Sequence, residues 1–177
     1  MKSPEKITVD FDPDTLDMMF KRLKETKWPD IIGEDSWVYG VPRSWLQEMV
    51  DFWISEWNWE KISDQINQWD NYVVEIEGIP IHYLHAPGRG PNPKPIVLTH
   101  GWPWTFWDFK DVIGPLSDPE KYGGNPEDSF DVYVPSLPGF SFSLPLLQSG
   151  VDVSRVASIW NTLMTEVLGY EKFCAHG

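Results

Sequence analysis

The stretch Ile96–Pro103, with the sequence Ile-Val-Leu-Thr-His-Gly-Trp-Pro, constrains the fold of this chain more than any other. Its first four residues are mostly apolar and β-branched, which predicts a short strand buried on both faces of a parallel sheet. At Gly101 we expect a tight turn with a backbone angle that other residues resist, and the bond before Pro103 is a candidate for the cis form. Helical spacing follows over 104–113. Ligands of open α/β sheets bind where strands end, so we expect chemistry at this turn.

A tryptophan-rich helical segment precedes this stretch, because seven of the eleven tryptophans lie within 28–69. Asp12-Pro13 predicts the start of a first helix, and Ser44 with Gln47 matches the capping box of a second. Apolar residues recur at helical spacing again over 62–69. We interpret the tryptophans as the apolar contacts of a small helical meander, with the alternative that one or two of them face a substrate channel.

From Tyr72 onward, strands alternate with helices. Besides 96–99, four strands are predicted: 72–77, 81–85, 130–135 and 170–175. The first two form a β-hairpin with a turn at Gly78-Ile79-Pro80. A helix begins at Asp152 or Ser154 and ends at Gly169, where a left-handed cap belongs. This alternation indicates a parallel sheet with helices on its faces.

The charge balance excludes several classes of partner. Against 27 acidic side chains there are 14 basic ones, which gives a net charge of −13. This excess repels nucleic acid and anionic lipid, so we expect neither nucleic acid nor a membrane as a partner. Met1–Lys6 lacks the apolar segment of a signal peptide. The single cysteine, Cys174, fits a reducing compartment, and its apolar neighbours predict a packed, inert thiol. We therefore expect a cytoplasmic protein.

The histidines of the hairpin do not predict a metal site. His82 and His85 are three residues apart, a spacing found in some metal sites, but on a strand it puts them on opposite faces. Glu75 and Glu77 share one face, which we interpret as the solvated side of the sheet. The glycines of the 86–95 loop do not match a phosphate-binding fingerprint. We expect no metal and no cofactor.

Several segments together resemble the N-terminal region of microsomal-type epoxide hydrolases. They are Trp28-Pro29, Trp37–Pro42, Trp45-Leu46, Trp53, Trp59, Glu77–Tyr83, His100–Pro103 and Val134–Ser143. In the last of these, Ser141 replaces the middle glycine of the family's pattern. His-Gly-x-Pro alone is widespread among α/β hydrolases, but its combination with the other segments is specific. The resemblance implies an α/β fold, the N-terminal half of an α/β hydrolase over 72–177, preceded by a helical, tryptophan-rich extension over 1–71.

The resemblance also implies a two-step mechanism. Family members attack an epoxide carbon with an Asp carboxylate, protonate the opening oxygen with lid tyrosines, and hydrolyse the ester with water activated by a His and an acidic partner. The nucleophile belongs in a Gly-x-Asp-x-Gly turn after the strand at 172–175, and Gly177 resembles the first of those glycines. The nucleophile, acid and base are therefore expected outside these 177 residues.

Half of an oxyanion hole remains within the chain. By the resemblance, the backbone N–H of Trp102 holds the charge that develops on the ester oxygen. Three neighbours are expected to support its turn: His100, Gly101 and Pro103. For His100 an orienting hydrogen bond is favoured over direct acid–base catalysis. Trp104 and Phe140, with the Trp102 indole, are candidates for the apolar substrate pocket, and plain core packing is the alternative.

The expected partners follow from the same resemblance. An apolar strand at 172–175 with nothing after it in the sequence is open to aggregation, so we expect the remaining C-terminal half of the hydrolase to pair with it as a separate chain. The fragment alone is expected to be inactive, the substrate is expected to be a small apolar epoxide, and a homodimer of the complete enzyme is left open. Two alternatives are another α/β hydrolase, such as an esterase or dehalogenase, and a non-catalytic hydrolase-like binding module.

Overall fold

The computed structural model describes residues 3–33 and 35–177, so Met1, Lys2 and Glu34 lie outside the described residues. The start of the segment considered for a signal peptide falls among them. The described chain forms two compact units. One comprises Val9–Gln65, and the other comprises the residues up to Thr8 together with Ile66–Gly177.

The unit Val9–Gln65 is helical. It contains α1 (Pro13–Lys24), α2 (Arg43–Ser55) and most of α3 (Trp59–Ile66). The predicted start of α1 is confirmed, because the Asp12 carboxylate accepts a hydrogen bond from the Thr15 N–H at 3.0 Å. No residue of α1 or α2 is buried, although both helices carry an apolar face.

The predicted capping box at Ser44 and Gln47 is wrong. Helix α2 begins at Arg43, so Ser44 lies inside the first turn and Pro42 occupies the cap position without a side-chain hydrogen bond. The free N–H of Ser44 is satisfied by the carboxylate of Asp35 at 3.2 Å instead. The hydrogen bond from Ser44 holds the pKa of Asp35 below its usual value. A carboxylate at a helix N-terminus is favoured by the helix dipole as well.

The tryptophans of this unit contact one another and a phenylalanine edge to face. Trp59 lies between Phe11, at a ring-centroid distance of 5.1 Å, and Trp57, at 5.9 Å. A cavity of about 240 Å³ is lined by Met19, Phe20, Trp53, Trp57 and Trp59. These contacts agree with the predicted apolar role for Trp57 and Trp59, but Trp37, Trp45, Trp53 and Trp57 are all more than a third exposed, so the tryptophans are not a buried core within this unit. Whether any of them faces a substrate channel stays a prediction.

The other unit is built on a six-stranded sheet with the order β1-β2-β3-β5-β4-β6. The strands are β1 (Glu5–Ile7), β2 (Asp70–Ile76), β3 (Ile79–Ala86), β4 (Lys94–Leu98), β5 (Phe130–Pro135) and β6 (Cys174–His176). Strand β4 pairs parallel with β5 on one side and with β6 on the other. The remaining pairs, β1–β2, β2–β3 and β3–β5, are antiparallel. The sheet is therefore mixed, and β1, at three residues too short to show alternation, was not predicted.

The β2–β3 turn lies earlier than predicted. Glu77 and Gly78 both have positive φ, 53° and 78°, which is the conformation of a two-residue type I′ hairpin turn. Ile79 and Pro80 therefore belong to β3, and the predicted turn at Gly78-Ile79-Pro80 is corrected by one residue. Pro80 pairs only with Glu75, because β3 meets β5 from Tyr83 onward, and proline is tolerated where the other side of a strand is free.

Helices pack on this sheet. A 3₁₀ turn at Phe106–Phe109 leads into α4 (Lys110–Ser117), and α5 (Val153–Thr162) continues into a π-helical turn at Leu163–Val167. Asp152 caps α5 by accepting from the Arg155 N–H at 2.9 Å, and Gly169 has the expected left-handed conformation, with φ 80°. The core joins the inner face of the sheet to α5, with Ile81, Val97, Ile159 and Leu163 among its buried residues.

The last strand differs from its prediction in two ways. It begins at Cys174 rather than near residue 170, because the Tyr170 hydroxyl is held by Asp131 and Tyr133 outside the sheet. Cys174 is exposed, so the expectation of a packed thiol is wrong: β6 pairs on one side only, with β4.

No helix of residues 3–33 or 35–177 has the length and apolar character to cross a membrane.

Candidate functional site

The turn after β4 follows the strand–turn–helix prediction, with two corrections. The Trp102–Pro103 bond is cis, as predicted, and the Trp104 N–H donates to the Gly101 carbonyl at 3.0 Å. Gly101 is not in the left-handed region, and a Cβ there would touch only Trp104, at 4.0 Å, so the expected backbone angle is wrong. The predicted helix over 104–113 begins later, because the Thr105 hydroxyl caps the Phe106–Phe109 turn by accepting from the Trp107 N–H.

His100 connects this turn to the turn that follows β5. Its ring is buried, and its Nε2 accepts from the Leu137 N–H at 3.0 Å. The other ring nitrogen must then carry the proton, so Nδ1–H donates to the Gly101 carbonyl, also at 3.0 Å. Both ring nitrogens of His100 are thus hydrogen-bonded to backbone groups, and the ring is neutral in this arrangement. His100 is therefore suited to orienting the turn.

The Trp102 amide belongs to the peptide unit that His100 contacts. The Gly101 carbonyl accepts from both His100 Nδ1 and the Trp104 N–H. In a planar trans peptide the C=O and N–H vectors point in opposite directions, so holding the carbonyl also directs the Trp102 N–H. That N–H has no acceptor among the described residues. The turn therefore presents a directed, unpaired hydrogen-bond donor.

The predicted pocket side chains differ in exposure. The Trp102 indole is 80% exposed and the Trp104 indole 59%, so neither is a core residue of this chain. Phe140 is half-buried and packs edge to face against His100, at a ring-centroid distance of 5.4 Å. Core packing is thus excluded for the two indoles within this chain, and a role for all three side chains in a substrate pocket stays a prediction.

The carboxyl end of β6 lies beside this turn. Leu98 pairs with His176, and the Thr99 N–H donates to the His176 carbonyl at 2.8 Å. The indole N–H of Trp160 donates to the Thr99 hydroxyl at 3.1 Å. A Cβ on Gly177 would come within 3.0 Å of the Thr99 Cβ, so a larger residue would crowd the strand end. The end of β6 therefore lies beside Thr99, three residues before Trp102 in the sequence.

A buried polar cluster under the 136–143 turn was not predicted. His82 is fully buried, and its ring lies between Ser136 and Asn71 rather than near a metal. Burial lowers the pKa of His82 to about 3, so the ring is neutral at physiological pH. The sequence offered only a histidine on a strand as a signal, because its partner Ser136 lies 54 residues further along the chain.

A second unpredicted cluster lies at the opposite end of β5. The Asp131 carboxylate accepts from His85 Nε2 at 2.9 Å, from the Gly88 N–H at 3.2 Å, and from the hydroxyls of Tyr133 and Tyr170. The His85 ring stacks on Tyr133 at 4.5 Å. Burial raises the pKa of Asp131, but the hydrogen bonds from Tyr170 and His85 outweigh it and hold this pKa below its usual value. Burial raises the pKa of Tyr170 to about 12.

The two histidines of β3 therefore have separate partners, as their positions on opposite faces of the strand require. In the part of the chain that the structure describes, no group of three or more His, Cys, Asp and Glu side chains is arranged to hold a metal ion.

Comparison with known proteins identifies related chains. Residues 4–109 match the family model described as "Epoxide hydrolase N terminus". A candidate epoxide hydrolase of Stigmatella aurantiaca is 40% identical over 157 residues, which are 89% of this chain and 36% of that relative. Epoxide hydrolase 1 of Oryctolagus cuniculus is 34% identical over 145 residues, covering 78% of this chain and 31% of the relative. The chain thus spans about a third of the length of these curated relatives.

The structure of Aspergillus niger epoxide hydrolase matches with a TM-score of 0.84 and 26% identity, covering 98% of this chain and 46% of that chain. This match, with the parallel strands β5, β4 and β6 and the helices against the sheet, identifies the fold as that of an α/β hydrolase. Within that class, the chain belongs to the epoxide hydrolase family and corresponds to an N-terminal portion of it.

Proposed function

We propose that this chain is the N-terminal portion of an enzyme that adds water to a small apolar epoxide and releases a vicinal diol through an aspartyl ester. The observation that carries this proposal is the unpaired, directed N–H of Trp102, beside the end of the strand that precedes the family's nucleophile turn. Family membership supports the reaction class, and the exposed indoles of Trp102 and Trp104 support an apolar substrate.

The donor acts in the second half of the reaction. When water attacks the carbonyl carbon of the ester, negative charge develops on the carbonyl oxygen of the ester. The Trp102 N–H stabilises that oxyanion. A preorganised donor of this kind contributes roughly 3 kcal/mol to the stability of the transition state. Because the donor is a main-chain group, the side chain at position 102 shapes the pocket and does not take part in the chemistry.

In this proposal the C-terminal portion of the hydrolase completes the site. It supplies the Asp nucleophile, the protonating tyrosines, and the His with its acidic partner. Strand β6 pairs with β4 on one side only, which leaves its other edge for the first strand of that portion. Residues 1–177 alone are inactive in this proposal, and the cytoplasmic location stays a prediction.

Complementation tests the proposal. Residues 1–177 are co-expressed with the part of the Stigmatella aurantiaca relative that follows the position matching Gly177, and diol formation from styrene oxide is measured. We expect turnover from the pair and none from either part. The same relative, divided at the same position and recombined, is the matched control for the division itself. If that control is active and the pair with residues 1–177 converts no epoxide, the chain is a non-catalytic binding module instead.

A further inference from the structure

A buried hydrogen-bond network centred on His82 joins three parts of the sheet unit. The side-chain amide of Asn71 donates to the carbonyls of Trp69 and Ile66, at 3.0 and 3.3 Å, so its oxygen must be the acceptor that faces His82. His82 Nε2 therefore carries the proton and donates to Asn71 Oδ1 at 3.1 Å. Nδ1 is left as an acceptor for the Ser136 hydroxyl at 2.8 Å.

The same histidine also holds the 136–143 turn through its backbone. The Ser136 N–H donates to the His82 carbonyl at 2.9 Å, and the His82 N–H donates to the Ser143 hydroxyl oxygen at 2.9 Å. The Ser143 hydroxyl in turn donates to the Ser136 carbonyl at 2.8 Å. Both ends of the turn are therefore attached to one residue of β3, and every polar group of the network has a partner.

The attached turn continues directly into the contact with His100. Leu137 follows Ser136, and its N–H donates to His100 Nε2 at 3.0 Å. His100 passes the constraint to the Gly101 carbonyl through Nδ1–H. An unbroken series of hydrogen bonds and covalent bonds thus connects His82 to the peptide unit whose N–H belongs to Trp102.

Aromatic rings pack around the buried histidines of this series. Phe106 and Phe142 pack against the His82 ring in T-shaped arrangements, at centroid distances of 4.8 and 5.1 Å. Phe140 packs against His100 in the same way. Ser136, Ser143 and His82 are all fully buried. Hydrogen bonds in such surroundings are strong and leave few alternative arrangements, so the geometry at one end is transmitted to the other.

We propose that Ser136, Ser143, Asn71 and His82 position the oxyanion donor: together they fix the 136–143 turn, which holds His100, which sets the direction of the Trp102 N–H. These are positioning residues, because none of them touches the reacting atoms. The inference rests on the proposed function for its catalytic consequence, but its geometric content stands on the described contacts alone. The competing view is that the network stabilises the fold and has no effect at Trp102.

Hydrogen exchange separates the two views. The amides of Leu137 and Trp104 report on the series, because they donate to His100 and to the Gly101 carbonyl respectively. Ser136→Ala removes the donor to His82 Nδ1. The matched control is Ser117→Ala, since Ser117 is equally buried but its hydroxyl contacts only the Gly114 carbonyl of its own helix. Exchange is followed by mass spectrometry on all 177 residues. The sample is the complex with the co-expressed part of the Stigmatella aurantiaca relative, or residues 1–177 alone if that complex does not form.

Ser136→Ala should speed exchange at Leu137 and Trp104 by about tenfold or more, and Ser117→Ala should leave both amides at the wild-type rate. If Ser136→Ala does not fold, Ser143→Ala replaces it, with the same expectation, because it breaks a separate link of the same network. Three results would each overturn the proposal. They are unchanged exchange at Trp104 in a folded variant, an equal effect of Ser117→Ala, and random-coil exchange at both amides in the wild-type chain.

Kinetics of the complemented enzyme distinguish this proposal from the one on which it rests. Misdirecting the donor should lower kcat for epoxide hydrolysis by about tenfold while KM changes less than about twofold, because the donor acts on the transition state. A wild-type complex that is inactive on epoxides, with the expected exchange response, refutes the proposed function and keeps the positioning network. An active complex in which Ser136→Ala leaves kcat unchanged refutes the catalytic consequence of the network.

Discussion

Ser141 occupies a backbone conformation that suits glycine. Its φ is 45°, and it stands where the family's pattern has glycine. A left-handed conformation costs a residue with a Cβ about 1–2 kcal/mol, and glycine avoids this cost. Glycine has more conformational freedom in the unfolded chain, which offsets roughly 0.5–1 kcal/mol of that gain in stability. We therefore expect Ser141→Gly to raise the free energy of unfolding by about 0.5–1 kcal/mol. Urea titration of the complemented pair with the wild-type, Ser141→Gly or Ser141→Ala chain measures it, and alanine at least as stable as glycine would contradict the explanation.

Gly101 should tolerate a side chain in spite of its place in the motif. Its φ is outside the left-handed region, and a Cβ would meet only Trp104 at 4.0 Å. We expect Gly101→Ala to change the free energy of unfolding by less than about 0.5 kcal/mol. Gly90→Ala is the contrasting variant, because its Cβ would overlap the Pro126 carbonyl oxygen, and it should destabilise the chain strongly. Thermal unfolding of both variants in the complemented pair checks this, and similar losses at the two positions would be inconsistent with it.

At the level of residues, the sequence alone located the turn but not what supports it. His100, Gly101 and Trp102 could be found because a strand pattern ends at a recognisable motif. The partners of His82 could not, because Asn71, Ser136 and Ser143 are 11 to 61 residues away along the chain and meet it only through strand pairing. The same applies to Asp131 and Tyr170, which are separated by 39 residues. Single polar residues carry no periodic signal that reveals such long-range contacts.

At the level of elements, the Asp131 cluster ties β5 to the ends of two other elements. It joins Gly88, in the loop after β3, to Tyr170, in the segment before β6. Because the pKa of Asp131 is lower in the folded chain than in the unfolded one, its carboxylate stabilises the fold above the unfolded pKa, near 4, and this contribution disappears as pH falls through the folded pKa.

Asp131→Asn should therefore lower the free energy of unfolding at pH 7 by about 2 kcal/mol, in the range of hydrogen bonds to a charged group. The gap between wild type and variant should narrow below about pH 4, where the wild-type carboxylate is protonated in the unfolded chain and then in the folded one. Urea unfolding of the complemented pair at several pH values measures this gap. Asp128→Asn, at an exposed carboxylate, is the control and should show little loss at either pH. A gap that is constant from pH 7 to pH 3 would argue against a role for the charge.

Elements with local signals were predicted and those defined by pairing were not. Helix α1 has its cap residue and apolar stripe within twelve residues, and Asp152 and Gly169 flank α5 and the π-helical turn that continues it, so both helices were found. Strand β1 exists only because it pairs with β2, and the cap of α2 comes from Asp35, which lies outside the helix. The late start of β6 has the same origin, since Tyr170 is drawn away by Asp131. Local patterns therefore specify which elements exist, and distant contacts set where they begin and end.

At the level of the whole molecule, the position of β6 determines how the chain should behave in solution. Strand β6 is the last strand in the order, pairs only with β4, and has all three of its residues exposed. Its outer edge carries backbone N–H and C=O groups that a further strand would satisfy, and open parallel edges promote association with other chains. The net charge of −13 opposes association only over long range and is screened by salt.

Residues 1–177 by themselves should therefore not form a stable monomer, and pairing with the complementing portion should yield a defined heterodimer. Size-exclusion chromatography with light scattering measures both states. Cys174→Ser under reducing conditions separates edge pairing from disulfide formation, because Cys174 is exposed on the same strand. Ala175→Lys places a charge on this strand and should reduce self-association and complementation together, because both use one edge. A soluble monomer of residues 1–177 that melts cooperatively without the complementing portion would show instead that the edge is already protected.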